Sequence, residues 1–261
     1  MIPYLFHIYG PLYANCYGLS ILIGILVLIY ISKKDPVLSI ILTKEQLINN
    51  IIAGTLIGII GGMTLWTVIN WDTLKSWEEI FEVWNGGFSI LGSVMAIAIF
   101  LPVCLKFQKI PAMKFLDRIT IYAPLTQSIA RIGCFCAGCC YGMKTESIFG
   151  VIYTHPDSGA PLFTKIHPTQ LYSSFLLFLI FLLMYFVLQK YLKKDGQLYT
   201  AYLFLISVER FLVDFIRADR EFSSINAINF FSINQWVALF IALISFSLFL
   251  YYSKKHSLKN S

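Results

Sequence analysis

The chain has 261 residues, of which 57% are hydrophobic and 13% charged. A soluble domain runs at about 45–50% apolar and about 25% charged residues, so a water-facing globule is excluded and a lipid-embedded body is expected. The net charge of +6 does not indicate nucleic acid as a partner, because Lys and Arg sit in short clusters between long apolar runs.

In chain order, residues 1–11 carry no basic segment, so the first apolar run is expected to be a permanent helix and not a cleaved leader. Crossing a hydrocarbon layer about 30 Å thick takes about 20 apolar residues. The runs 12–31, 47–69, 88–105, 115–132, 171–188, 198–216 and 233–252 approach that length. The fourth and sixth carry charge, yet without them the basic clusters would not alternate sides. Lys33, Lys34, Lys44, Lys106, Lys109, Lys114, Arg118, Lys190, Lys193, Lys194, Lys254, Lys255 and Lys259 follow the odd-numbered runs; Lys75, Lys144, Lys165, Arg217 and Arg220 follow the others. That excess marks the first set as cytoplasmic. The expected fold is therefore all-α: a polytopic membrane protein with seven transmembrane helices, its N-terminus outside and its C-terminus cytoplasmic, in one domain over 1–261. Trp71, Trp77 and Trp84 fall where indole rings anchor at a lipid surface. Gly54, Gly58, Gly61 and Gly62 present small faces at helical spacing, which predicts close helix packing.

The polar residues inside these runs carry the functional signal. Arg131 stands in the stretch Thr126-Gln-Ser-Ile-Ala-Arg-Ile-Gly-Cys-Phe-Cys-Ala-Gly-Cys-Cys-Tyr-Gly142. Its rigid guanidinium fork suits a phosphate better than a lysine would; the structural alternative is a snorkelling or paired arginine. In the sixth run Arg210, Asp214 and Arg217 are spaced by four and three residues and share a helical face. One aspartate cannot neutralise both arginines, so the face is either a phosphate site or an internal ion-pair ladder. Glu209 points elsewhere around the helix and is expected to support the bundle. Ile166-His-Pro-Thr-Gln-Leu-Tyr172 enters the fifth run, with Pro168 marking the helix start, Thr169 or His167 capping it, and His167 and Gln170 available to a head group.

Cys134, Cys136, Cys139 and Cys140 crowd one short segment, with His155 and His167 in the loop that follows. The spacing is poor for a zinc knuckle, and a compact turn, disulfides, a soft-metal site and a reactive thiol all remain open. Cys16 and Cys104 are expected to be ordinary apolar side chains remote from the cluster.

Across nearly its whole length the sequence resembles the prolipoprotein diacylglyceryl transferase family. The resemblance rests on Tyr9-Gly-Pro11, Tyr17-Gly-Leu19, Trp84-Asn-Gly-Gly-Phe-Ser89, Ala130-Arg-Ile-Gly-Cys-Phe135, Gly138-Cys-Cys-Tyr-Gly142, His167-Pro-Thr-Gln-Leu-Tyr172 and Arg210-Phe-Leu-Val-Asp-Phe-Ile-Arg217. It implies transfer of the diacylglyceryl group of phosphatidylglycerol to the lipobox cysteine of a prolipoprotein signal peptide, with release of glycerol-1-phosphate, at the outer leaflet of the bacterial inner membrane. The nucleophile then belongs to the substrate, and no cofactor or metal is implied. Arg131 and Arg210 look like the family's two essential arginines; His167, which matches or neighbours its chamber, or else solvent, is expected to accept the thiol proton. Tyr17, Asn85, Gln127, Gln170, Asp214 and Arg217 match or neighbour its substrate chamber.

The sequence departs from the family at five points, one of them Ser93, which stands where the family has a glycine. Leu91 stands where the family commonly has a histidine, and Gly61-Gly-Met-Thr64 lacks an arginine. Ser173 stands where it has a glutamate, and the acidic residue between Arg210 and Arg217 is the shorter Asp214. A paralogue that binds phospholipid or lipidates another acceptor, and a metal- or redox-linked membrane protein, are the competing readings. A transporter has less support, since no inverted repeat is visible.

Overall fold

The computed structural model describes residues 4–9, 12–71, 89–218, 220 and 230–255. Asn85, Trp77 and Trp84 lie outside the described residues, as does the side chain of Leu91.

The chain opens on a hairpin, β1 (Tyr4–Tyr9) antiparallel to β2 (Leu12–Asn15). Helix α1 (Cys16–Ser32) follows directly. Asp35 caps α2 (Pro36–Ile41), accepting from the Val37 and Leu38 amides at 2.8 and 2.9 Å, with Pro36 at the first helical position. A reciprocal capping box between Thr43 and Gln46 starts α3 (Lys44–Ile69). Then come α4 (Ile90–Phe107) and α5 (Ala112–Ala137). A loop carries the two-residue strands β3 (Val151–Ile152) and β4 (Lys165–Ile166). Helix α6 (Thr169–Leu182) runs through a π-helical turn (Leu183–Leu188) into the short α7 (Gln189–Tyr191). The last two helices are α8 (Gln197–Asp214) and α9 (Ile233–Lys255).

Among the described residues, three helices are long and apolar enough to cross a membrane: Lys44–Ile69, Thr169–Tyr191 and Ile233–Lys254. The seven-span expectation is corrected by this, and the sidedness inferred from it falls as well. The physical reasons are specific. Residues 12–15 are strand, so α1 has 17 residues, short of the roughly 20 required. The apolar stretch of α4, Gly92–Phe107, is likewise too short. Helices α5 and α8 carry Lys114, Asp117, Arg118 and Arg131, and Glu209, Arg210 and Asp214. An all-α, multi-pass architecture remains, with hairpin and loop strands too short to form a layer.

The chain packs as two compact units. In the unit of residues 32–115, α3 and α4 cross with their backbones nearly touching. A Cβ added at Gly61 would lie 2.7 Å from the Gly92 carbonyl, and one at Gly92 would lie 2.6 Å from Leu65 Cβ. Gly58 packs against Ile97 by the same logic, whereas Gly54 faces open space. Gly61→Val is therefore expected to destabilise the protein by about 1–3 kcal/mol through overpacking, while Gly54→Val changes little. Thermal unfolding in detergent reads this, and equal effects at the two positions would refute the crossing.

In the other unit, residues 1–31 and 116–261, the core gathers Ile121, Tyr122, Met184, Leu198 and Tyr202. At its far end Asp117 of α5 accepts from the Gly196 and Tyr199 amides, at 2.6 and 2.8 Å, at the start of α8. A carboxylate there satisfies amides that the helix itself cannot, and it meets the positive end of the helix dipole. Gly196 holds φ +91, a left-handed turn that admits glycine without penalty.

Candidate active site

The site forms where α5 ends, α6 begins and α8 ends, all within one unit. Two glycines bring α1 against α5. A Cβ at Gly133 would meet Ser20 Cβ at 2.8 Å and Tyr17 Cα at 3.0 Å, and one at Gly24 would meet Thr126. The glycine of Arg131-Ile-Gly133 thus lets α1 pass close enough to set the Tyr17 ring in the electrostatic range of Arg131. Cys16, at the head of α1, lies within electrostatic range of the Cys136 thiol. It is therefore beside the cysteine segment, contrary to the expectation of remoteness.

Beyond α5 the chain turns sharply at Gly138 (φ +77) and Cys140 (φ +60). The first residues of α6 clamp this turn: Thr169 Oγ1 donates to the Cys140 carbonyl and Gln170 Nε2 to the Cys139 carbonyl, both at 2.7 Å. The next residues are stitched on both sides. Gly142 N–H donates to the His167 carbonyl at 2.9 Å, Met143 N–H to the Ile216 carbonyl at 2.8 Å, and Ala218 N–H to the Tyr141 carbonyl at 3.1 Å. A Cβ at Gly142 would lie 2.7 Å from the His167 oxygen, which is why only glycine fits. In the loop beyond, Tyr153 donates to the Phe135 carbonyl at 2.8 Å, and burial pushes its phenol pKa up.

These contacts assemble a cleft lined by Arg131, Cys140, Thr169, Gln170, Ser173, Arg210, Val213 and Arg217. Its walls stand too close together to seat a water molecule. Asp214, fully buried, sits 3.4 Å from Arg210 and 3.8 Å from Arg220 and accepts from the Ser232 hydroxyl. Glu209 is also buried and accepts from Ser173 at 2.5 Å, while its carboxylate feels Arg131, Arg210 and Arg217. Among the described residues, four guanidiniums therefore face two carboxylates, an excess of two positive charges. Hydrogen bonds from Cys134 and Cys139, then the Arg217 and Arg131 guanidiniums, hold the Cys140 thiol below its ordinary pKa.

The cleft thus unites Arg131, Arg210, Arg217 and Gln170, with Asp214 behind them and Tyr17 nearby. Other expected residues lie elsewhere. Gln127, one turn below Arg131, donates to the Tyr202 hydroxyl at 2.9 Å and belongs to the core side of α5. His167 does not line the cleft; its Nδ1 lies 3.2 Å from the Tyr172 hydroxyl. It does not cap α6 either, whose N-cap is Pro168 without a side-chain hydrogen bond, and Thr169 is spent on Cys140. Glu209 and Ser173 are the participants that spacing missed. The Ser173 hydroxyl meets a carboxylate supplied from α8.

The profile described as prolipoprotein diacylglyceryl transferase matches residues 3–251. The phosphatidylglycerol–prolipoprotein diacylglyceryl transferase of Clostridium tetani is 32% identical over 255 residues, covering 95% of this chain and 97% of that protein. The phosphatidylglycerol–prolipoprotein diacylglyceryl transferase 2 of Clostridium perfringens is 31% identical over 201 residues, 77% of this chain and 76% of that protein. The Finegoldia magna protein is 28% identical over 242 residues, covering 91% and 89%. A match over nearly the whole chain, joined to a cationic cleft built from the same motifs, makes this protein a member of the prolipoprotein diacylglyceryl transferase family, a multi-pass membrane transferase acting on lipid and lipoprotein substrates.

Proposed function

We propose that the protein transfers the diacylglyceryl group of phosphatidylglycerol to the thiol of a lipobox cysteine in a prolipoprotein signal peptide, releasing glycerol-1-phosphate at the bacterial inner membrane. The observation that carries this reading is the net-positive, largely buried cleft of Arg131, Arg210 and Arg217 in a family member. The substrate sulfur attacks the diacylglyceryl carbon that bears the phosphate ester. The C–O bond breaks, its electron pair goes to phosphate oxygen, and a diester with one negative charge becomes a monoester with two. Guanidiniums aimed at that oxygen stabilise the added charge, which is the part of the reaction the protein must supply. A free cysteine is already a few per cent thiolate near neutral pH; its proton is lost to solvent before the attack, and the charges of thiolate and diester end together on the monoester. His167 then acts as a positioning residue, through the backbone that holds Gly142 and Met143. Asp214 orients Arg210, and Tyr17 borders the pocket.

Gln170 supplies specificity. Its amide nitrogen is committed to the Cys139 carbonyl, so its oxygen is fixed, buried, and without a hydrogen-bond partner in the cleft wall. An orphan acceptor beside three arginines fits a ligand that brings both a phosphate and a donor, and the glycerol headgroup hydroxyl is such a donor. Gln170→Leu is expected to reduce discrimination between phosphatidylglycerol and an analogue lacking the headgroup hydroxyls by about tenfold, on the scale of one lost hydrogen bond. Incubating the protein in bilayers of each lipid with a lipobox peptide, and weighing the peptide, tests both claims. No mass gain with phosphatidylglycerol would overturn the transferase reading; unchanged discrimination would overturn the role of Gln170.

A further inference from the structure

Three thiols in this unit are brought together more closely than their spacing suggested. The Sγ atoms of Cys134, Cys139 and Cys140 all lie within 4.8 Å of one another. Cys134 comes from the last turn of α5, and the other two from the turn that follows. Consecutive residues on an extended or helical path would aim their side chains apart. The left-handed backbone of Cys140 instead turns both thiols toward Cys134, at a cost of about 1–2 kcal/mol for a residue with a Cβ. The turn is held there by Thr169 and Gln170, which fix the carbonyls of Cys140 and Cys139. Support of this kind behind a ligand set is what orients metal-binding residues in general. Neither the phosphate clamp nor the attacking sulfur of the substrate requires any of these thiols.

We propose that Cys134, Cys139 and Cys140 form a three-thiolate site for a soft, thiophilic cation of the Zn²⁺ or Cu⁺ class. Metal–sulfur bonds of about 2.3 Å put three sulfurs about 4 Å apart, a distance reached from the present arrangement by small side-chain rotations. Thiolate donors select soft cations over Mg²⁺ and Ca²⁺, which take oxygen. With all three sulfurs bound as thiolates, a divalent ion leaves the site with one net negative charge. Arg131 lies in the field of Cys134 and Cys140, and Arg217 in that of Cys140, so that charge is compensated within the unit. Cys136 stands outside the set, whose converging sulfurs are those of Cys134, Cys139 and Cys140.

The test uses the full-length protein, purified in detergent, fully reduced and free of metal. Co²⁺ is titrated in as a coloured substitute for Zn²⁺, and bound metal is counted after gel filtration. One equivalent per chain is expected, with sulfur-to-cobalt charge-transfer absorption of the strength that three thiolates give. Cys140→Ser is expected to weaken binding at least about tenfold and to lower that absorption, while Cys136→Ser leaves both unchanged. Cys134→Ser gives the same loss as Cys140→Ser in protein that elutes as wild type. Wild-type protein that retains no cobalt overturns the proposal, even if every variant misfolds. So does binding that survives Cys140→Ser or disappears with Cys136→Ser. None of these readouts depends on transfer activity, so the site stands or falls apart from the proposed reaction.

Discussion

Arg131→Gln and Arg210→Gln are each expected to slow peptide lipidation at least about a hundredfold. Removing one donor from a preorganised oxyanion site costs about 3–4 kcal/mol in the transition state. The phosphate gains a full charge as it departs, so an arginine aimed at it is worth more late in the reaction than when the lipid first binds. The two residues are not equivalent. Arg210 shares its charge with Asp214 at 3.4 Å and is 27% exposed, whereas Arg131 is balanced by the more diffuse field of Glu209 and the cysteine cluster. Arg131→Gln is therefore expected to lose the more. Lysine at either position restores charge but not the two-pronged fork, and falls between wild type and glutamine. The measurement is the initial rate of mass gain on a lipobox peptide in phosphatidylglycerol bilayers, with folding and lipid content matched. Near-normal turnover in either glutamine variant would remove the electrostatic clamp from the mechanism.

Asp214→Asn is expected to cost about 3–5 kcal/mol of stability, the scale for breaking a buried ion pair from one side. The carboxylate is fully buried, lies within 4 Å of Arg210 and Arg220, and accepts from Ser232. Asparagine keeps the shape and a hydrogen-bond acceptor, so the loss isolates the charge. It withdraws one of the two negative charges that hold four guanidiniums in one place. Arg220 also donates to Gln235 at 2.8 Å, and the Gln235 oxygen accepts from the Ser232 amide, so the start of α9 is tied to the same node. The end of α8 and the start of α9 should therefore loosen together. Hydrogen exchange at both, alongside thermal unfolding in detergent, reads this. An unchanged melting temperature would show that the cluster is held by other contacts.

The sequence was most legible where chemistry is local. Arg210 and Asp214 share a helical face whatever surrounds them, but α8 ends at Asp214 and Arg217 lies beyond it, bridged to Gly142. Gln170 and Arg131 were singled out by residue type, but their convergence depends on a turn that no spacing rule describes. The misses share a cause in tertiary packing. Glu209 lies about 100° around α8 from Arg210, which suggests a different neighbourhood. Yet α6 covers that side as well, and Ser173 brings the carboxylate into the cleft wall. Cys16 reaches Cys136 only because Gly24 and Gly133 let α1 cross α5 closely. Hydropathy also overcounted the spans. It weighs residues 12–15 as helix when they pair as a strand, and it cannot separate a helix that carries a charged site from one that faces lipid.

The contact between Asp117 and the start of α8 works as a gauge for the distant arginines. Fourteen residues separate Asp117 from Arg131 along α5, and fourteen separate Gly196 from Arg210 along α8. At a rise of about 1.5 Å per residue both arginines stand about 21 Å beyond the point where the two helices are pinned. They meet at one level because two equal lengths have been measured from a common origin. Substitutions along either helix leave that measure intact, provided the helix itself survives. Insertion or deletion of a single residue between 118 and 130, or between 197 and 209, does not: it moves one guanidinium by about 1.5 Å and swings it about 100° away from its fellow. Length, more than composition, is what these two segments have to preserve.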